Sequence, residues 1–135
     1  MIWKCTIPEY DLISPNKFMR MHFRTRIAEH NKLLELMMIY GDEVVPFHDP
    51  VDIKIHREYG YRKRAMDPDN LYGAVKLPID VIREPSPRSK KQSLCLIADD
   101  TNAHISSLSV TQDKSSDKIT RINITVESPS RATWT

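Results

Sequence analysis

Asp67 and Asp69, two residues apart, and the later vicinal pair Asp99 and Asp100 are the side chains best suited to chemistry in this 135-residue chain. Magnesium takes hard oxygen ligands, usually from only a few carboxylates, and keeps positions for water and phosphate. Such a site can activate a water and stabilise the leaving oxygen of a phosphodiester. Asp67, Asp69 and Asp100 are therefore candidate catalytic ligands and Asp99 a further ligand, with Mg2+ as the expected cofactor and Mn2+ as its substitute. Each half also has a plainer explanation. Asp69 or Asn70 can cap a helix, and Asp99-Asp100 can form a turn.

Cations flank this motif. Arg62, Lys63 and Arg64 run directly into it, with Arg57 just upstream, and a second group, Lys17, Arg20, Arg24 and Arg26, is uninterrupted by acids. Both groups could neutralise phosphates, and each could equally be a solvated face. The net charge of +2 decides nothing, because a polyanion responds to the local field. Lys76 lies seven residues beyond Asp69. On one continuous helix it would share that face about 10 Å along the axis, leaning back toward the carboxylates. It could also pair with Asp80 at i+4.

The elements that must hold these groups follow from the apolar pattern. Trp3, Cys5 and Ile7 alternate with Lys4 and Thr6, a short strand ending at Pro8. From about Arg24 to Tyr40, Ile27, Leu33, Leu34, Met37 and Met38 form the stripe of an amphipathic helix stopped by Gly41. Val51, Ile53 and Ile55 alternate with polar residues, and Tyr59 continues their side. A second helix is predicted from the acidic motif through Leu71, Val75, Ile79 and Ile82, with a kink or restart at Pro78. Glu84 to Gln92 reads as an exposed loop, and the apolar run Leu94 to Ile97 delivers Asp99-Asp100. Strand-like segments at Leu108 to Val110 and Ile122 to Val126 are predicted to form a hairpin through residues 113–118.

This order predicts a single α+β domain over residues 1–127, one mixed sheet with two main helices, and a disordered tail over 128–135. Cys5 and Cys95 read as reduced thiols, and with no basic n-region, long apolar run or bilayer-spanning segment the expected compartment is the cytoplasm. The five histidines have no zinc-ligand spacing.

Taken together, Asp67-Pro68-Asp69-Asn70-Leu71, Lys76 with Asp80, and Ile97-Ala98-Asp99-Asp100 resemble the RusA-type Holliday junction resolvases of bacteria and their phages. Ser14-Pro15-Asn16-Lys17 and Arg20-Met21-His22-Phe23 are weaker echoes. The resemblance implies a RusA-like fold and a homodimer that binds a four-way DNA junction and nicks two strands symmetrically with Mg2+, in a bacterial cell or phage-infected host. It implies catalytic roles for Asp67, Asp69, Asp100 and Lys76; the basic clusters make Lys17, Arg20, Arg62, Lys63 and Arg64, with His22 beside them, the expected DNA contacts. The founding pattern has a lysine where this chain has Gly73, and the lysine here comes three residues later. The rival reading is a non-catalytic, dimeric DNA-binding module. A phosphatase with an Asp-x-Asp nucleophile fits less well, since Lys63-Arg64-Ala65-Met66 is not the apolar strand that would position it.

Overall fold

In a computed structural model that describes residues 1–128, the alternating segments become strands and share one buried face. Strand β1 (Ile2–Pro8) buries Trp3, Cys5 and Ile7; β2 (Val51–Tyr59) buries Val51, Ile53 and Ile55. Between them lie α1 (Pro15–Arg20) and α2 (Phe23–Tyr40), and after β2 come α3 (Pro68–Gly73) and α4 (Lys76–Ile82). Strands β3 (Ile105–Lys114) and β4 (Arg121–Glu127) complete one four-stranded mixed sheet ordered β1-β4-β2-β3. The opposite sheet face carries polar residues such as Lys4, Thr6 and Lys54, as expected of a sheet covered on one side only. This is the α+β domain with a mixed sheet that the patterning predicts.

The expected hairpin is not formed. Strand β4 pairs antiparallel with both β1 and β2, whereas β3 lies parallel to β2 at the edge. Leu108 and Val110 of β3 are only half-buried and suit an edge, while β4, with Ile122, Ile124 and Val126 wholly buried, lies between β1 and β2. The 115–120 connection therefore crosses the end of β2. There the Ser115 N–H donates to the Tyr59 carbonyl and the Tyr61 N–H to that of Asp117. Gly60 permits this passage, because a Cβ there would stand 2.3 Å from the Lys118 carbonyl oxygen.

Helix α2 starts with the His22 ring nitrogen Nδ1 accepting the Arg24 N–H and ends at Gly41, where a Cβ would meet the Met37 carbonyl and the Trp3 ring. Its buried stripe is His30, Leu33, Leu34 and Met37. Met38 is one residue out of phase and exposed, as is Ile27 in the turn preceding the stripe, so neither belongs to the core as expected.

The second predicted helix is two. The Ala74 N–H still donates to the Asn70 carbonyl, but that of Val75 turns to Tyr72 three residues back, and the helix restarts at Lys76. Pro78 thereby falls in the first turn of α4, where its missing N–H leaves no bond unmade. Downstream, the Leu94 and Leu96 N–H groups donate to the Val81 and Ile82 carbonyls at the end of α4. That satisfies helix-end acceptors and anchors the extended, buried run leading to Asp99. Ser128 bonds to Met1, and the rest of the predicted tail lies outside the described residues.

Candidate active site

The approach to Asp67 is organised by a residue that the charge pattern assigned elsewhere. Arg57 continues the inward phase of β2 and is 2 % exposed, so it is not one of the surface cations that neutralise phosphate. Its Nε donates to Asp11 Oδ1 at 2.6 Å and Nη2 to Oδ2 at 3.1 Å, a two-point pairing. Its Nη1 donates to the Arg64 carbonyl and to Gln112 Oε1, both at 3.0 Å. Gln112 in turn accepts the Met66 N–H and donates to the Met66 carbonyl. The strands thus grip the backbone on the residue before Asp67.

Asp67 is the N-cap of α3 in position only, because its side chain makes no capping bond. Asp69 lies in the first turn, and both carboxylates are exposed. Neither capping explanation therefore consumes them. Both remain hard oxygen donors open to solvent.

A second cluster forms around α4. A cavity of about 490 Å³ between α3, α4 and the start of β3 is lined by Lys76, Asp80, Asp100, Tyr72 and residues 105–108, among others. Asp80 pairs with Arg83 rather than with Lys76, at 3.1 Å to Arg83 Nε, and Asp100 Oδ2 lies 3.7 Å from the same nitrogen. These acids raise the Arg83 pKa, chiefly through the Asp80 hydrogen bond. Asp99 accepts the Asp100 N–H at 2.8 Å. That bond, then one with the Asp100 side chain, holds the Asp99 carboxyl below the usual carboxylate range, with smaller help from Arg83 and His104.

Asp100 thus shares a cavity with Lys76, but Asp67 and Asp69 do not line it. Tyr72 and Gly73, one turn after Asp69 on α3, do line it. Among the described residues, no three His, Cys, Asp or Glu side chains stand together as a group able to hold a metal ion. The break before α4 also removes the straight-helix alignment of Lys76 with Asp69, and Lys76 instead opens α4.

Of the other expected DNA contacts, Arg62 and Arg64 are exposed, and Arg62 stacks over the Tyr61 ring. Lys63 is more than half exposed, with Asp11 at 3.6 Å. Lys17 and Arg20 are exposed on α1, and His22 has a structural task as a cap. Pro15 of α1 packs on Gly73, and a cavity joins α1 and Arg26 to Lys76, so this basic segment adjoins the carboxylate site.

Arg83 was missed by the sequence reading, though its spacing three after Asp80 was visible. His30 was missed too, although it keeps the phase of the α2 stripe. No protein-family model matches the chain, and no curated protein matches its sequence. Among the described residues, no helix is long and apolar enough to cross a membrane.

Proposed function

We propose that this chain is a metal-dependent endonuclease of branched DNA, of the RusA type that its motifs resemble. The observation that carries the proposal is the pair of exposed, uncapped carboxylates of Asp67 and Asp69 directly behind Arg62, Lys63 and Arg64. Carboxylates left unsatisfied beside cations weaken phosphate binding in a purely binding protein, and are useful in one that cuts. The donor set, all carboxylate oxygen, fits Mg2+ or Mn2+ in chemistry. Asp67 and Asp69, and Asp100 with Asp99, do not form one ligand group among the described residues, so they would hold the metal by being drawn together on binding; when bound it supplies an activated water and stabilises the leaving oxygen.

The chain's own groups do the rest. Arg62, Lys63 and Arg64, with Lys17 and Arg20, attract the backbone of a four-way junction. Lys76 sits in the cavity with Asp100, where its ammonium can approach a phosphate. Arg83 orients Asp80 through an ion pair at 3.1 Å and lies 3.7 Å from Asp100. A homodimer suits a two-fold symmetric substrate.

The test is nicking of a synthetic four-way junction with and without Mg2+, using wild type and Asp69→Asn. Magnesium-dependent paired nicks are expected from wild type. The variant should bind as well or better, because a negative charge near phosphate is gone, yet not cut. Loss of binding and cutting together would assign Asp69 to folding.

One observation favours a second reading. Arg83 already neutralises Asp80 and approaches Asp100, which suits a DNA-binding module that does not cut. Tight junction binding without nicks at any Mg2+ or Mn2+ concentration would establish it.

A further inference from the structure

A second cavity, of about 240 Å³, lies beneath the 84–93 segment, which is outside the motifs used above. It is lined by His30, Asp80, Arg83, Lys91, three serines and two further loop residues. His30 is 2 % exposed, and its Nδ1 has no hydrogen-bond partner. Its Nε2 lies 2.7 Å from the Gln92 carbonyl oxygen. A carbonyl only accepts, so Nε2 carries the proton and Nδ1 is a bare acceptor, buried in a residue that lines a polar cavity. Buried polar atoms are rarely left unpaired, which marks the surrounding cavity as the place for an occupant.

The remaining wall says what. Arg83 uses only Nε on the carboxylates, so its terminal nitrogens keep four N–H donors without a partner among the described residues. Lys91 is exposed, and its ammonium has no acidic partner among them. Ser86, Ser89 and Ser93 add hydroxyls, those of Ser89 and Ser93 already receiving the Lys91 and Cys95 N–H groups and still able to donate. The only carboxylate in the wall, Asp80, is offset by Arg83, which leaves Lys91 as a net positive charge. Guanidinium, ammonium and hydroxyl donors lining one cavity match a tetrahedral oxyanion. We infer that this cavity binds a phosphate group, held by Arg83, Lys91 and the serine hydroxyls beside the His30 ring. Asp80 lines both cavities, so an occupant here also touches the network that fixes Asp100.

The inference does not need the nuclease reading, and its test is separate. The His30 ring nitrogens of the full chain are followed by NMR during titration with inorganic phosphate, and separately with the dinucleotide d(TpT), which carries only a phosphodiester. Ionic strength is held constant with chloride. A saturable shift with either ligand is expected, weakened about tenfold in Lys91→Gln by removal of one charge-assisted hydrogen bond. Lys91 is exposed, so this variant keeps the fold. A response to d(TpT) identifies a strand phosphate, and a response to inorganic phosphate alone identifies the free ion. No saturable response to either, an equal response to chloride, or an unchanged affinity in Lys91→Gln would overturn the site.

Discussion

The pairing of Arg57 with Asp11 shows how one residue can reverse the meaning of a local charge pattern. Arg57 looks like part of a surface cluster, yet it is buried and ties Asp11, the Arg64 carbonyl and Gln112 together. Removing one partner of a buried pair leaves an uncompensated charge, a loss of about 3 kcal/mol. Asp11→Ala should therefore lower the unfolding free energy by roughly that amount, with Asp11→Asn costing less because it keeps an acceptor. Denaturant titration measures both, and an effect below about 1 kcal/mol would remove Arg57 from its positioning role. Asp117 supplies a pH-dependent counterpart. Its carboxyl is lowered from 3.8 to about 2, first by the Arg121 side chain, then by Ser115 and the Ile119 N–H. A depressed carboxyl stabilises the fold above its unfolded value, and that help fades as pH falls through the folded one. The stability gap between wild type and Asp117→Asn should be constant above about pH 5 and close between pH 4 and 2. A gap that persists at pH 2 would contradict the assignment.

At the scale of elements, the strands were legible because β1, β2 and β4 each bury alternate residues, and period two survives whatever their order. Their neighbours were not legible. The 113–118 segment has turn composition whether it closes a hairpin or crosses one strand, and only the pairing of β4 with both β1 and β2 places it inside the sheet. The helix after the acidic motif was legible in its apolar spacing, while the break at Ala74 and Val75 leaves that spacing almost unchanged. Of the candidate site, the residues could be named, but not which of them meet. Asp100 shares a cavity with Lys76 and meets Arg83 through the packing of α4, whereas Asp67 follows a Met66 backbone held by a glutamine on β3. The strand crossing has its own test at Gly60. Gly60→Ala would bring a methyl within 2.3 Å of the Lys118 carbonyl, which must shift, at a cost of about 1–3 kcal/mol. Hydrogen exchange should rise at Tyr61 and at Ser115, whose amides bond across that passage. Unchanged exchange there would mean that the connection does not run over Gly60.

At the scale of the molecule, the difficulty for any enzyme of this kind is to bring polyanionic DNA against carboxylates without losing affinity. Arg62, Lys63 and Arg64 occupy the stretch between the end of β2 and Asp67, so DNA attracted to them is delivered to the acidic motif. Their backbone is fixed independently of their charge, through the Arg57 grip on the Arg64 carbonyl and the Lys63 N–H bond to the Gly60 carbonyl. Neutralising the side chains should therefore leave the path to Asp67 intact. Lys63 also lies 3.6 Å from Asp11, but it is more than half exposed, and such a pair contributes little stability. If the three cations act by releasing counterions, substituting all three by Gln should lower the salt slope of log K by up to about 0.9 for each duplex-arm phosphate that is no longer neutralised. Junction affinity should fall accordingly, while the single-turnover nicking rate at saturating protein changes little, since the carboxylates and Lys76 remain. Binding across a salt series and cleavage at saturation measure the two quantities separately. An unchanged slope with a collapsed saturated rate would place these residues in the chemical step instead, and an unchanged slope and rate would mean that the DNA enters by another face.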